Sequence, residues 1–264
     1  MYDIQAIKKR LQELGVHPKK SLGQNFLIYQ GTIDKIIDAV DTHDIDQIVE
    51  VGPGLGALTS GLQKLGKPLL LIELDRAFAQ YWQESGLQVI NADALQVDWQ
   101  KLAPCSTALV SNLPYQISSS LVIEMSVQEL GVNQMVLMFQ KEVAQRILAK
   151  SGSKTYGLLS VVAQAFWQVD FLLEAGPKDF YPPPKIASQV LRFQRRELPF
   201  SDSKKFLQLL KSAFHQRRKK VMNNLKSYSE VHDWGKVWSK MGWNEDLRAE
   251  NLSVEDYIQL FKEL

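Results

Sequence analysis

The residues best suited to carry chemistry are Asn112, Leu113, Pro114 and Tyr115, which end an apolar, strand-like run that starts at Ala108. The Asn112 side-chain oxygen and the Leu113 carbonyl are two acceptors for the N–H bonds of an exocyclic amine. Binding both bonds draws such an amine towards a tetrahedral form with a free lone pair. Pro114 would fix the turn that aims the Leu113 carbonyl, and Tyr115 would stack on the nucleobase that carries the amine. The motif predicts group transfer to the amino group of adenine; the alternative is a structural turn.

A second aromatic ring, Phe180, lies in a loop that contains Pro182, Pro183 and Pro184. Consecutive prolines favour an extended backbone, which would hold the ring on the other face of the same base. A hydrophobic anchor for the loop is the alternative. No strong base is needed if the methyl donor is already activated as a sulfonium, so catalysis would depend on positioning and electrostatics.

Three groups at successive strand ends predict a nucleotide-binding cleft. The first strand runs into a glycine-rich turn over residues 52–56, where Gly52 lets the backbone approach a ligand closely. Glu73 ends the next strand, 21 residues after Gly52, and is placed to accept hydrogen bonds from both hydroxyls of a ribose. Asp93 follows the third strand and is placed to accept from the amino group of an adenine. These features fit either S-adenosylmethionine or NAD, and the turn alone is a weak signal.

Strand-length apolar runs alternate with helix-length segments between residues 47 and 150, which is typical of a parallel sheet with helices on both faces. The predicted strands are 47–51, 69–74, 87–91, 108–112, 134–139, 168–173 and 188–193. The predicted helices are 2–15, 31–41, 57–65, 76–83, 119–129, 141–150 and 157–165. Because the strand signal ends after Pro199, we predict an α/β domain over residues 1–198 and a small all-α domain over residues 199–264.

The formal net charge of +2 conceals a local excess of positive charge. Arg217, Arg218, Lys219 and Lys220 are consecutive, and adjacent cations repel one another unless they face a polyanion. We predict that they bind RNA phosphates, which gives affinity and register but little sequence specificity. A solvated helix face is the alternative interpretation.

The composition argues against several classes of protein. Cys105 is the only cysteine, so no intramolecular disulfide forms, and the four histidines lack the spacing of metal ligands. The N-terminus lacks the apolar segment of a signal peptide, and the apolar runs are too short to cross a bilayer. We therefore expect a cytoplasmic protein that has neither a metal nor a membrane partner.

Several further motifs recur in a fixed order. They occupy residues 20–27, 50–56, 112–115, 139–144, 156–160, 180–185, 214–220 and 223–225. Over nearly the whole chain this order resembles the ribosomal RNA adenine N6,N6-dimethyltransferases of the KsgA/RsmA type. The sequence departs from the family pattern at Ser21-Leu22, Gln116, Ala187 and Met222, which bears on individual RNA contacts rather than on the chemistry.

The resemblance implies a Rossmann-like class I methyltransferase domain with a helical C-terminal domain. It implies that S-adenosylmethionine is converted to S-adenosylhomocysteine while two adjacent adenines in the 3′-terminal hairpin of 16S rRNA become N6,N6-dimethyladenosine. The substrate would be the precursor small ribosomal subunit, the protein a monomer, and loss of the activity would give kasugamycin resistance. The cofactor residues implied by the match are Asn25, Leu27, Gly52, Glu73, Asp93 and Asn112.

Three other functions compete with this interpretation. An Erm-type dimethyltransferase would modify large-subunit RNA, but the C-terminal motifs and the Phe180 loop argue against it. A dinucleotide-dependent oxidoreductase would explain the glycine turn and Glu73 but would leave residues 112–115 without a role. A non-catalytic assembly factor would bind the small subunit without methylating it, and the intact motif argues against that.

Overall fold

Continuous apolar runs form the central strands, as expected where a sheet is buried on both faces. The computed structural model describes residues 4–19, 22–128, 131–228 and 233–264. In β2 (Gln47–Val51) residues 48–51 are buried, and in β5 (Thr107–Asn112) every residue before Asn112 is buried. The other strands are β1 (Phe26–Leu27), β3 (Leu69–Glu73), β4 (Gln88–Asn91), β6 (Val132–Gln140), β7 (Trp167–Ala175), β8 (Phe180–Tyr181) and β9 (Ser188–Arg195).

Seven of these strands form one sheet in the order β4-β3-β2-β5-β6-β9-β7. The neighbours from β4 to β6 are parallel, whereas β9 runs antiparallel to β6, with Leu137 opposite Leu191. The predicted mostly parallel sheet is therefore confirmed. Because β2, β3, β4 and β5 are parallel, their carboxyl ends meet at one edge, where ligands bind in open α/β sheets.

Several helices begin at a side chain that caps their first turn. The carboxylate of Asp75 accepts a hydrogen bond from the N–H of Ala77 at 3.1 Å at the start of α4, and Ser253 and Asp256 form a capping box at the start of α12. The helices are α1 (Ile4–Glu13), α2 (Gln30–Asp38), α3 (Thr59–Gln63), α4 (Arg76–Glu84), α5 (Trp99–Leu102), α6 (Ser118–Val127), α7 (Lys141–Ile147), α8 (Leu158–Phe166), α9 (Ser203–Ala213), α10 (Val221–Leu225), α11 (Trp234–Met241) and α12 (Val254–Lys262).

A two-stranded sheet of β1 and β8 was not predicted from the sequence. Phe26 pairs with Tyr181 and Leu27 with Phe180, and the N–H of Ile28 donates to the Asp179 carbonyl at 2.8 Å. This pairing joins the N-terminal segment to the proline-rich loop. It brings two motifs together that are more than 150 residues apart in the sequence.

The chain divides into two compact units. The first contains residues 1–121, 129–144 and 170–195, and the second contains residues 122–128, 145–169 and 196–264. The main segment of the second unit starts at Arg196, whereas its two shorter segments come from the part that we assigned to the α/β domain. The division at residues 198 and 199 stays a prediction.

After β9 the second unit is built from helices alone in the described residues, which agrees with the predicted helical C-terminal part. Its core is aromatic: the rings of Phe200, Phe206 and Phe261 pack together, and Trp234 lies against Trp238. None of the helices in the described ranges is long and apolar enough to cross a membrane.

Candidate active site

A cleft opens in the first unit where β2, β3 and β5 end, and we call it the strand-end cleft. The residues after these strands form its floor, and a loop before β1 forms a wall. The lining comprises residues 22–27, 50–55, 57–58, 72–74 and 92–94, together with Ile7, Asn112, Pro114, Gln116 and Ile117.

All residues that the family resemblance assigned to the cofactor lie in this lining. They come from five separate segments of the chain: Asn25 with Leu27, then Gly52, Glu73, Asp93 and Asn112. Of the remaining motif residues, Pro114 lines the cleft, whereas Leu113, Tyr115 and Phe180 lie outside its lining. Lys20 and Ser21, the first two residues of the N-terminal motif, lie outside the described residues.

The glycine turn after β2 has a backbone that other residues rarely adopt. Gly52 has a φ of +68° and Gly56 a φ of +86°, in the left-handed region that favours glycine. A Cβ at Gly56 would lie 2.4 Å from the ring of Trp82, and the indole N–H of Trp82 donates to the Gly54 carbonyl at 2.9 Å. Trp82 therefore packs against the glycine turn and bonds to it, while residues 52–55 of the turn line the cleft.

Glu73 is held by the backbone around it. Its carboxylate accepts from the N–H of Gly54 at 3.0 Å and from the N–H of Asp75 at 2.8 Å. Burial raises the pKa of this carboxyl, and the two backbone N–H groups oppose that shift. Each carboxylate oxygen still has a lone pair available, so Glu73 can accept two further hydrogen bonds from a ligand.

Glu50 is a buried acid in the lining to which the sequence analysis gave no role. Its pKa is raised to about 8, mainly by burial, and the neighbouring charge of Glu73 acts in the same direction. The hydroxyl of Thr59 donates to its carboxyl at 2.7 Å, which partly opposes the shift. An acid inside the apolar run of β2 was the available signal, because burying an acid in a strand is costly.

The charge of the strand-end cleft is one-sided. Its titratable lining residues are Glu50, Glu73 and Asp93, and no lysine, arginine or histidine belongs to the lining in the described part of the chain. Such a cleft suits a positively charged ligand. Glu50 adds no negative charge at neutral pH, because its pKa is about 8.

The motif at residues 112–115 is joined to the N-terminal loop. The side-chain N–H of Asn112 donates to the carbonyl of Asn25 at 3.1 Å, and the side chain of Asn25 donates to the carbonyl of Gly23 at 3.1 Å. The hydroxyl of Tyr115 lies 2.8 Å from that of Ser188, at the start of β9. Burial raises the pKa of Tyr115, so its ring stays neutral. Ser188 carried no local sequence signal, because its partner is 73 residues away.

The comparisons identify the family. The model of the ribosomal RNA adenine dimethylase family matches residues 16–264. The chain belongs to this family. A ribosomal RNA small subunit methyltransferase A of Bdellovibrio bacteriovorus is 48% identical to it, and the alignment covers 99% of this chain and 97% of the relative. The resemblance that the motifs indicated is confirmed, and a dinucleotide-dependent oxidoreductase is ruled out.

Two solved structures share the fold. A dimethyladenosine transferase from Plasmodium falciparum superposes with a TM-score of 0.77 and 25% identity over 90% of this chain and 96% of the other. The 23S rRNA methyltransferase ErmE superposes with a TM-score of 0.67 and 23% identity, covering 91% and 99%. The predicted class I methyltransferase fold is confirmed.

Phe180 lies in β8, which pairs with β1, and its ring points into the protein. It is 2% exposed and belongs to a hydrophobic cluster with Leu27, Leu173 and Val190. This burial agrees with an anchor for the loop. A part in stacking on a base stays a prediction, and it requires the ring to become uncovered when RNA binds.

The four consecutive cations of this dimethylase lie in a turn between α9 and α10, not on a helix, and we call residues 217–220 the cationic turn. The guanidinium of Arg217 donates to the carbonyls of Lys154 and Tyr156 at 3.0 and 3.1 Å, and Lys220 pairs with Asp246. Within the described residues, the exposed side chains of Arg218 and Lys219 have no such partner.

Those two side chains are therefore available to phosphate.

In the described residues no group of three or more histidine, cysteine, aspartate or glutamate side chains is arranged to hold a metal ion.

Proposed function

We propose that the chain transfers methyl groups from S-adenosylmethionine to the N6 amino groups of two adjacent adenines in the 3′-terminal hairpin of 16S rRNA. The substrate is the precursor small ribosomal subunit in the cytoplasm, and the protein acts as a monomer. One observation carries the proposal: Asn112 lines a cleft in which the titratable side chains, among the residues that the structure describes, are all acids. The relatives named small subunit methyltransferase A support the choice of ribosomal subunit.

The strand-end cleft fits S-adenosylmethionine by charge and by hydrogen bonding. Glu73 accepts from the ribose hydroxyls, and Asp93 accepts from the amino group of the cofactor's adenine. Gly52 allows the backbone to lie close to the ligand, and Asn25 and Leu27 close the opposite wall. The acidic lining stabilises the positive charge of this ligand. When bound, S-adenosylmethionine supplies a methyl group that is activated by its attachment to a sulfonium.

The target amine is bound on the other side of Asn112. The Asn112 side-chain oxygen and the Leu113 carbonyl accept hydrogen bonds from its two N–H groups. Pro114 fixes the turn that aims the carbonyl. Tyr115 stacks on the flipped adenine, and the hydrogen bond between its hydroxyl and that of Ser188, 2.8 Å apart, fixes the ring. Acceptors in fixed positions favour the tetrahedral nitrogen that attacks, so positioning and electrostatics provide the rate enhancement.

The ribosomal RNA is bound in part by the cationic turn. Arg218 and Lys219 contact phosphates, whereas Arg217 and Lys220 use their internal partners to keep the turn in shape. Phosphate contacts fix the register of the RNA without reading its sequence. Specificity for the two adenines therefore depends on the shape of the RNA in the subunit and on the base pocket.

The test is methyl transfer to isolated subunits. The purified protein is incubated with labelled S-adenosylmethionine and with small ribosomal subunits that lack the modification, and the released nucleosides are identified by mass spectrometry. We expect dimethyladenosine from the 16S terminal hairpin, formed roughly 10²- to 10³-fold more slowly with Asn112→Ala. Tight subunit binding without transfer would refute the enzyme and indicate an assembly factor. Transfer to large-subunit RNA alone would assign the chain to the Erm-type enzymes.

A further inference from the structure

The loop before β1 is fastened at its outer end by a buried acid. One carboxylate oxygen of Asp75 accepts from the ammonium of Lys19 at 2.8 Å and from the side-chain amide of Gln24 at 3.3 Å. The N–H of Lys19 also donates to the side-chain oxygen of Gln24 at 2.7 Å. The Asp75 side chain is only 3% exposed, against 50% for Lys19, and Lys19 and Gln24 hold its pKa below the usual range. We call these three residues the loop latch.

The inner end of the same loop contacts the catalytic motif. The Asn25 carbonyl, one residue after the loop latch, accepts from the side-chain nitrogen of Asn112 at 3.1 Å. An added Cβ at Gly23 would lie 2.8 Å from the side-chain oxygen of Gln116, so the loop also lies close to the segment after the motif. The loop latch thus fixes the position of the Asn25 backbone. The hydrogen bond from Asn112 to the Asn25 carbonyl depends on that position.

This contact determines which way the Asn112 amide faces. A carbonyl oxygen only accepts hydrogen bonds, so the Nδ2 atom of Asn112 must face Asn25. The Oδ1 atom of the same planar amide must then point away from the loop. The structure describes no other hydrogen bond of the Asn112 side chain, so in the described residues only the Asn25 carbonyl selects between the two orientations of the amide. The opposite orientation presents a donor instead of an acceptor.

We propose that Lys19 and Asp75 are positioning residues for methyl transfer, which act through the Asn25 carbonyl to keep the Asn112 oxygen turned towards the target amine. The proposal rests on the proposed function, because it assigns the Asn112 oxygen to the adenine amine. Neither Lys19 nor Asp75 touches the reacting atoms. Their effect is on the fraction of molecules in which the acceptor is correctly placed.

A single-turnover experiment separates this role from cofactor binding. Chain saturated with S-adenosylmethionine is mixed with excess unmodified small subunits, and the rate of methyl transfer is measured beside the calorimetric Kd for the cofactor. We expect Lys19→Met and Asp75→Asn to lower the saturated rate about tenfold, since small misplacements of a reacting group carry losses of this order. Lys19→Arg, which keeps the charge and a donor, should restore most of the rate.

The control is Lys101→Met, which removes an exposed lysine–aspartate ion pair with Asp98 at 3.0 Å on α5 and should leave the rate unchanged. The decisive variant is Lys19→Met in an Asn112→Ala background, where no amide remains to be oriented and we expect no further loss. Thermal melting of each variant confirms that it is folded.

Two outcomes would overturn the inference while the proposed function stands. One is an unchanged saturated rate in Lys19→Met with only a weaker Kd for the cofactor. The other is a full additional loss in the double variant. Absence of transfer by the unaltered chain would instead refute the proposed function.

Discussion

The strand-end cleft and the cationic turn use polar side chains in opposite ways. In the cleft Glu73 and Asn112 each have two tasks. Both carboxylate oxygens of Glu73 accept from backbone N–H groups and keep lone pairs for a ligand, whereas Asn112 donates to a backbone carbonyl through its nitrogen and keeps its oxygen for a ligand. In the cationic turn the tasks are divided between residues, because Arg217 is bound internally while its neighbour Arg218 is exposed. A substitution in the cleft should therefore damage position and chemistry together, whereas in the turn the two effects should separate.

The largest expected effect is at Asn112. Asn112→Asp keeps an acceptor but places a carboxylate oxygen against the Asn25 carbonyl, so the side chain should leave its position. We expect Asn112→Asp and Asn112→Ala each to lower the saturated methyl-transfer rate by roughly 10²- to 10³-fold, as for loss of other electrostatic catalytic groups. Single-turnover transfer to small subunits measures this loss.

The control for this prediction is Asn133→Ala, which removes an asparagine near the amino end of β6 that donates to the Ser106 hydroxyl at 2.9 Å. Its transfer rate should equal that of the unaltered chain. An active Asn112→Asp enzyme would show that orientation of the amide does not matter.

The second effect is on cofactor affinity. The N–H groups of Gly54 and Asp75 now donate to the two carboxylate oxygens of Glu73. Glu73→Gln puts a side-chain N–H against one of these donors and leaves a single acceptor oxygen. We expect the Kd for S-adenosylmethionine to rise about 10- to 100-fold, the range for a lost hydrogen bond to a charged group. Calorimetric titration measures it, with the exposed Glu84→Gln on α4 as the control. A Kd that stays within twofold would remove Glu73 from the site.

The third effect sharpens the description of the cationic turn. Replacing Arg218 and Lys219 by alanine should weaken subunit binding about tenfold and lower the slope of log Kd against log salt by about one per lost phosphate contact. Arg217→Ala should instead lower the melting temperature through the loss of its contacts with Lys154 and Tyr156. Filter binding at several salt concentrations, beside thermal melting, distinguishes the two. Equal salt slopes for all variants would refute the division of tasks.

The last effect concerns stability rather than binding or transfer: it is a pH dependence that comes from Glu50. Its pKa is about 8 in the folded chain and 4.5 in the unfolded one, so between these values only the folded chain holds the proton. The stabilisation is complete below pH 4.5 and is lost as the pH rises through 8, by roughly 1 kcal/mol of unfolding free energy per pH unit. Denaturant unfolding from pH 5 to 8 should show this slope, and Glu50→Gln should reduce it. An identical slope in Glu50→Gln would contradict the assignment, and Glu84→Gln should keep the slope.

The sequence predicted the fold best where apolar runs are long. The strand predicted over Gln47–Val51 has those bounds in the structure, and the alternation up to residue 150 is reproduced with small shifts. Three short elements were missed, namely β1, β8 and α5, because such short segments show little periodicity. The helix predicted over 57–65 is shorter, since the glycine turn continues to Leu58 before α3 begins.

The site was predictable where a residue ends a strand and not where its role depends on a distant partner. Glu73, Asp93 and Asn112 follow strands, and the carboxyl ends of parallel strands meet at one edge. The contact of Lys19 with Asp75 spans 56 residues and has no local pattern. For Phe180 the sequence offered a base-stacking ring and a loop anchor, and only packing in three dimensions distinguishes an exposed ring from a buried one.

The tryptophans next to the strand-end cleft should report ligand binding by their fluorescence. Trp82 donates its indole N–H to the Gly54 carbonyl, and Trp99 donates to the Ala94 carbonyl at 2.8 Å, so two indoles are bonded directly to lining residues. Trp234 and Trp238 belong instead to the second unit. Emission from Trp82 and Trp99 should change when the cleft fills, so a Trp82→Phe, Trp99→Phe chain should lose that signal. Cofactor occupancy can then be followed without a label in the same cuvette as RNA binding.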